Sequence, residues 1–328
     1  MKVFVKNKVV LVTGGAGFIG SNLVESFLSC DNKVICLDNL STGHYRNIEE
    51  FENNPNFKFI EGDIRDLETC QNAAQGVDYI FHQAALGSVP RSIDNPIRTN
   101  ENNINGFLNM LIAARDQKVK RFIFAASSST YGDSKTLPKK EENIGMPLSP
   151  YAVTKYVNEL YAHVFKLNYG LESIGLRYFN VFGKKQDPNG AYAAVIPKFI
   201  QLLLQEKAPT INGDGSYSRD FTYIDNVLQM NHLAATTSKT EAIGEIFNTA
   251  YGEQTSLLQL VEEIKSGISE INPNVKTIKA IHGPERQGDV PHSLADISKA
   301  KNLLEFEPTV SLKEGIEKTV QWFHENKE

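Results

Sequence analysis

Short apolar, β-branched runs alternate with helical segments along the first half of the chain, and this alternation limits the fold more than any other feature. Lys8-Val9-Val10-Leu11-Val12 opens the series and reads as a buried parallel strand. Further strands are expected at 33–37, 57–61, 78–81, 121–126 and 172–176, with helices at 21–29, 67–74, 98–116 and 150–168. Strands joined through helices pair in parallel, with the helices packed on both faces of the sheet. The expected fold class is α/β: a Rossmann-type doubly wound parallel sheet with a smaller C-terminal substrate-binding lobe. Residues 1–178 make the sheet domain, with a returning segment near 222–250 whose core strand is expected at 244–248. Residues 179–328 mainly make the second lobe, its segments interleaved with the first. There the alternation loosens into helices at 193–205, 223–236, 256–271 and 312–325, and Thr210-Ile211-Asn212-Gly213-Asp214-Gly215 reads as a hairpin.

The first strand feeds Thr13-Gly14-Gly15-Ala16-Gly17-Phe18-Ile19-Gly20. Glycines there permit either a plain structural turn or the close approach of a pyrophosphate to a helix N-terminus. Asp38 ends the next strand about 20 residues on, where an acid meets the ribose hydroxyls of an adenosine. Its charge repels a 2′-phosphate, which favours NAD over NADP. Asp63 either reaches the adenine or caps the helix at 67–74. His82 is expected to pack or hydrogen-bond locally. The loop 86–95 lies at the carboxyl end of a strand, the edge at which such sheets bind ligands. Its Ser88 and Arg91 either face a substrate or are simply solvated.

The most chemically suggestive stretch runs from Ser127-Ser128-Ser129-Thr130-Tyr131-Gly132 to Ser149-Pro150-Tyr151-Ala152-Val153-Thr154-Lys155. Ser149 suits an N-cap and Pro150 the first helical position. Tyr151 then lies in the first turn, and Lys155, four residues on, shares its face. A free phenol, with a pKa of about 10, is a poor base at neutral pH. A neighbouring ammonium and the positive helix end both favour phenolate, so Tyr151 is a candidate general base. By itself such a pair is common by chance and most often belongs to an ordinary amphipathic helix.

Composition excludes several classes. The 328 residues carry a net charge of −5, which gives no nucleic-acid surface. The three cysteines, Cys30, Cys36 and Cys70, fit no zinc or redox spacing, no metal site is expected, and a reducing compartment is the simplest setting. No apolar run is long enough to span a bilayer, and too few residues precede the first strand for a signal peptide, so a cytoplasmic location is expected.

Taken together, Thr13-Gly14-x-x-Gly17-x-x-Gly20, Asp38, the serine cluster and Tyr151-x-x-x-Lys155 resemble the extended short-chain dehydrogenase/reductase family. Over nearly its whole length the chain is similar to the UDP-sugar 4-epimerases of that family. Asp38-Asn39-Leu40-Ser41-Thr42-Gly43, Gln83-Ala84-Ala85, Arg177-Tyr178-Phe179-Asn180-Val181-Phe182-Gly183 and Arg219-Asp220-Phe221 carry this similarity. Residues 84–92, 186–192, 288–290 and 292–297 extend it to the bacterial UDP-N-acetylglucosamine 4-epimerases.

The resemblance implies roles residue by residue. Tyr151 takes the proton of the sugar's 4-hydroxyl, Lys155 holds the nicotinamide ribose and lowers the phenol pKa, and Ser127 hydrogen-bonds the same hydroxyl. Gly14, Gly17, Phe18, Ile19, Asp38, Asn39, Ser41, Gly43, Asp63, Ile64, Gln83, Ala84, Ala85, Asn102, Tyr178 and Val181 join Tyr151 and Lys155 in holding NAD. Ser88, Ser128, Ser129, Asn180, Ala194, Val195 and Lys198 join Ser127 and Tyr151 around the substrate. Arg219, Arg286 and Asp289 grip its diphosphate and uridine end. A serine at 293 leaves room for an N-acetyl group, or else simply begins a helix.

The implied reaction interconverts UDP-N-acetylglucosamine and UDP-N-acetylgalactosamine through a 4-keto sugar, in a homodimer paired through helices 98–116 and 150–168. Thr130 stands where relatives acting on plain hexoses usually have a branched apolar residue. The serine cluster also lacks the Asp-Glu pair with which 4,6-dehydratases eliminate water. One rival activity is 4-epimerisation of UDP-N-acetylglucosaminuronic acid, with Arg91 or another cation meeting the carboxylate. A catalytically silent NAD-binding scaffold is the other rival, and such a protein would be expected to lose Tyr151, Lys155 or Ser127.

Overall fold

The computed structural model describes residues 4–190, 193–284 and 290–326. The first half forms β1 Val9–Thr13, α1 Phe18–Leu28, β2 Lys33–Asp38, β3 Phe57–Glu61, α2 Leu67–Ala73 and β4 Tyr79–His82. Two short helices follow, α3 Val89–Asp94 and α4 Pro96–Asn100. A π-helical stretch, Glu101–Asn105, then leads into α5 Gly106–Asp116. β5 Arg121–Ser127, α6 Pro150–Tyr169 and β6 Ser173–Tyr178 complete this half. Beyond it lie β7 Val181–Phe182, α7 Val195–Leu204, β8 Thr210–Asn212, β9 Ser218–Arg219, β10 Thr222–Tyr223 and α8 Ile224–Thr236. Last come β11 Ile246–Thr249, β12 Thr255–Ser256, α9 Leu257–Ser269, β13 Ile281–Gly283, α10 Ser298–Leu304 and α11 Leu312–Glu325.

Seven strands form one parallel sheet in the order β11-β6-β5-β4-β1-β2-β3. The chain winds outward from β1 in both directions, so the carboxyl ends of β1 and β4 flank a crevice where the order reverses. Alternate residues of each strand face opposite helix layers. Val10 and Val12 of β1 pack with Leu23 and Phe27 of α1 and Met230 and Ala234 of α8, while Leu11 packs with Phe107 and Leu111 of α5 and Phe165 of α6. All seven residues of β5 are buried. A separate core joins α7, α9 and α11 through Phe199, Ile200, Ile264, Ile316 and Val320.

Local expectations fail in three places. Residues 86–95 are not all loop: the Ser88 side chain accepts from Arg91 N and, with Pro90 in the first turn, starts α3. Thr210–Asn212 is not a hairpin arm, because β8 pairs in parallel with β13, about seventy residues away in sequence. Asp66, not Asp63, caps α2, accepting from Glu68 N and Thr69 N. Among the described residues no helix is long and apolar enough to cross a membrane, and no group of His, Cys, Asp and Glu could hold a metal ion.

Candidate active site

A cleft of about 590 Å³ opens along the carboxyl edge of the sheet. Its floor begins at the glycine turn. Gly14 sits at φ +67°, and a Cβ there would lie 2.7 Å from Ala84 N, so any side chain would force β1 and β4 apart. A Cβ on Gly20 would lie 2.0 Å from Gly14 O, which is why the first turn of α1 can fold back so closely on the loop. The N-cap of α1, Gly17, brings no capping side chain, which leaves that helix end open to an anion. Gln83 Nε2 is buried in the cleft wall with no acceptor among the described residues. An open helix end, a crowded glycine and an orphaned donor fit a dinucleotide.

Asp38 ends β2 and lines the cleft with Asn39, Ser41 and Gly43. Its Oδ2 accepts from Ala16 N at 3.0 Å and its Oδ1 from Leu40 N at 2.8 Å, while burial raises its pKa. Asp63 is not among the cleft-lining residues. It is held by Arg65, which pulls its carboxyl down to about 2, and by Asn39 at 2.9 Å. His82 meets Thr13 Oγ1 at 2.9 Å, and burial, then the nearby Lys155 charge, depress it to about 3. It is a neutral packing residue, as its position in β4 suggests.

The reactive end is built where β5 meets α6. Ser149 Oγ accepts from Ala152 N at 3.1 Å and Pro150 takes the first helical position, which fixes Tyr151 in the first turn. Tyr151, Lys155 and Ser127 all line the cleft. Lys155 is 3% exposed, donates to Ala125 O at 2.6 Å, and has its Nζ 6.0 Å from the centre of the Tyr151 ring. Burial lowers its pKa to about 8, against the opposing pull of Glu159.

Burial raises the Tyr151 pKa, and the group that counters it is the Ser127 hydroxyl rather than the Lys155 ammonium. The ammonium is turned onto a backbone carbonyl and the phenol is desolvated. Ser127 is specially placed for its part. Its Oγ accepts from Ser129 N at 3.2 Å and from Ser129 Oγ at 2.9 Å, so its own hydrogen remains for the phenol.

Gly17, Phe18, Ile19, Ile64, Ala84, Ala85, Ser88, Asn102, Tyr178, Asn180, Val181 and Ala194 also line the cleft. Ser88 does so at φ 102° and Asn180 at φ 34°, both uncommon for residues with a side chain. Other expected residues lie apart from it. Ser128 and Ser129 do not line the cleft, because the 3-10 turn 128–131 aims Ser129 back at Ser127. Val195 and Lys198 begin α7, with Lys198 exposed. Arg219 Nη1 donates to Ser218 O and Pro291 O, and Ser293 N donates to Ser218 O. Arg286 and Asp289 lie outside the described residues.

Sequence reasoning passed over Thr42, Gly62, Leu86, Gly87, Ala125, Ala126 and Gln186, which line the cleft mainly through position and small size. It also passed over Asn103, which clamps Leu86 by both backbone groups and donates to Thr154 Oγ1 of α6. Asn103 is buried within the π-helical stretch, a feature that no sequence signal announces.

Comparison with known proteins agrees with this geometry. A model of the NAD dependent epimerase/dehydratase family matches residues 10–250. A UDP-N-acetylglucosamine 4-epimerase from Methanobrevibacter ruminantium M1, solved in complex with UDP-N-acetylmuramic acid, is 40% identical, with TM-score 0.91 over 98% of this chain and 99% of that one. A UDP-glucuronic acid 4-epimerase from Bacillus cereus, solved with UDP-glucuronic acid and NAD, is 34% identical, with TM-score 0.85 over 97% and 99%. A UDP-glucose 4-epimerase of Mycolicibacterium smegmatis is 35% identical over 95% of this chain and 97% of its own.

Proposed function

The chain belongs to the NAD-dependent epimerase/dehydratase family, and from that premise we propose that it is a UDP-sugar 4-epimerase with Tyr151 as its acid–base. The observation that carries this reading is the meeting of Tyr151, Ser127 and Lys155 in one cleft with an open helix end and an orphaned Gln83 donor. Inverting a carbon that bears an unactivated hydroxyl requires making it planar, and oxidation to the ketone does so. NAD, held by Gly14, Gly17, Asp38, Asn39, Gln83, Lys155 and Tyr178, supplies a reversible two-electron oxidation and a cationic ring that favours the phenolate.

Tyr151 accepts the 4-hydroxyl proton and returns it to the other face once the sugar has turned over. Ser127, with its hydrogen left available to the phenol, steadies the oxyanion form. Lys155, desolvated and tied to Ala125 O, holds its ammonium 6.0 Å from the centre of the Tyr151 ring. The turn 128–131 carries no carboxylate, so it offers no acid to eliminate water from the ketone. The sugar must stay loose while its nucleotide is gripped, and Arg219, with Arg286 and Asp289, is proposed for that grip.

The finer reading is that the pair interconverted is UDP-N-acetylglucosamine and UDP-N-acetylgalactosamine. It is supported by the likeness to the Methanobrevibacter enzyme. A second reading, an N-acetylated uronic substrate, is favoured by Arg91 lining the cleft beside Ser88. We further propose a homodimer. Val153, Leu160, Val164 and Leu167 form one exposed apolar stripe on α6, near the 72% exposed Ile97 of α4. Incubating the protein with each UDP-sugar pair, without added NAD, tests the function by product analysis. Conversion of the neutral acetylated pair alone supports it; no conversion of any UDP-sugar refutes it.

A further inference from the structure

One donor in the cleft has its direction set from outside. Gln83 follows β4, and its two amide ends are nearly the same size, so its hydrogen bonds decide which faces the cleft. The deciding chain begins on α8. Asn231, fully buried, donates from Nδ2 to Val227 O at 2.8 Å and to Tyr178 Oη at 3.0 Å. A carbonyl can only accept, so Nδ2 must be the atom that faces it. Tyr178 Oη then receives a hydrogen, and its own hydrogen goes to Gln83 Oε1 at 3.2 Å. Burial pushes the Tyr178 phenol up to about 12, so it keeps the proton it donates. With Oε1 accepting, Gln83 Nε2 is left facing the cleft with no acceptor among the described residues.

The arrangement is costly without a ligand. Asn231 Oδ1 and Gln83 Nε2 are both buried without partners, whereas apolar residues at these positions would leave no such debt. We propose that Asn231 is a positioning residue for the cofactor: it sets the polarity of Tyr178 and Gln83, so that Gln83 Nε2 donates to an acceptor atom of bound NAD. The inference rests on the NAD site and is independent of which sugar is turned over.

Asn231→Asp tests it, being close in shape and, once ionised, unable to donate; NAD retention is measured at about pH 8 to 9 so that the buried acid is the carboxylate. Tyr178 then turns its hydrogen to the new carboxylate, Gln83 swings Nε2 onto Tyr178, and Oε1 faces the cleft instead. Full-length protein is purified with its NAD, passed through gel filtration at intervals, and the NAD remaining per chain is measured after acid extraction. Asn231→Asp is expected to lose NAD at least about tenfold faster than the parent, the worth of one well-placed hydrogen bond. Tyr178→Phe, which keeps the ring packing, is expected to match it, and the double variant to lose NAD no faster than either single one. Melting temperatures of the loaded proteins check that the fold is retained. Parental NAD retention in both single variants overturns the inference, and so do losses that simply multiply in the double variant. Should Asn231→Asp not fold, Tyr178→Phe, Gln83→Ala and their double carry the same test with the same two refuting outcomes. A sugar assay that fails while these results hold would overturn the substrate reading alone.

Discussion

Replacing Ser127 with Ala tests the acid–base account most directly. In the structure the Ser127 oxygen already accepts two hydrogen bonds from Ser129, at 3.2 and 2.9 Å. Its hydrogen therefore remains available to the Tyr151 phenol, where it opposes the rise in pKa that burial causes. A hydrogen bond to a charged partner is worth about 1.5–3 kcal/mol, and each pKa unit corresponds to about 1.4 kcal/mol. Ser127→Ala should thus move the acid limb of the pH–rate profile upward by about one to two units. At neutral pH, where the phenolate is already scarce, kcat should fall by about 10- to 100-fold.

Ser129→Ala removes one of the two donors to Ser127 and leaves the backbone one. It should shift the limb in the same direction by less than Ser127→Ala. The assay is the initial rate of epimerisation from pH 6 to about 10, with UDP-sugar products separated by chromatography, and thermal melts as a control for folding. A Ser127→Ala protein that melts like its parent, with kcat and acid limb unmoved, would refute the reasoning. The same limb shifted downward would also refute it.

Four other outcomes follow from the structure. Gly14→Ala should yield protein with little bound NAD, because its Cβ would lie 2.7 Å from Ala84 N and φ is +67°; absorbance of the purified protein near the cofactor band checks this. Arg177→Leu should cost about 3–5 kcal/mol of stability in urea unfolding, since it strands Glu159, whose carboxylate meets Arg177 Nε at 2.9 Å and Nη2 at 2.7 Å in the interior. Burial raises Asp220 to about 7 in the fold, against backbone amides of Tyr251, Gly252 and Ala295 that lower it. Its folded-state pKa lies above the unfolded one, so its stabilising contribution is whole below about pH 4 and is lost as pH rises through 7. That loss amounts to about 4 kcal/mol at most, and Asp220→Asn should flatten the difference in unfolding free energy between pH 5 and pH 8. Leu160→Glu combined with Leu167→Glu should convert a dimer to a monomer in sedimentation velocity, since these side chains are 49% and 68% exposed on α6.

Much of the site could be read from local patterns, because the chemistry there is carried by local geometry. Ser149 and Pro150 start a helix wherever they precede one, and Tyr151 and Lys155 share its face through helical periodicity alone. Asp38 lies in the cleft because it ends a strand that follows a glycine turn. The central sheet was legible for the same reason: each parallel strand is a short apolar run with a helix behind it.

What the sequence could not disclose depends on partners far away in the chain. Gly213-Asp214-Gly215 looks like a turn between two strands, yet β8 finds its partner in β13, a pairing that no local signal marks. Ser129 resembles a third pocket serine, but the 3-10 turn sends its hydroxyl back to Ser127. The phenol of Tyr151 was expected to be acidified by Lys155; burial, a property of the packed whole, raises its pKa, with the Ser127 hydroxyl as the counterweight. Residue type and spacing determined which groups this protein brings to its cleft. Folding decided which way each hydrogen points and how much water each charge keeps, because those depend on atoms that sequence neighbours do not supply.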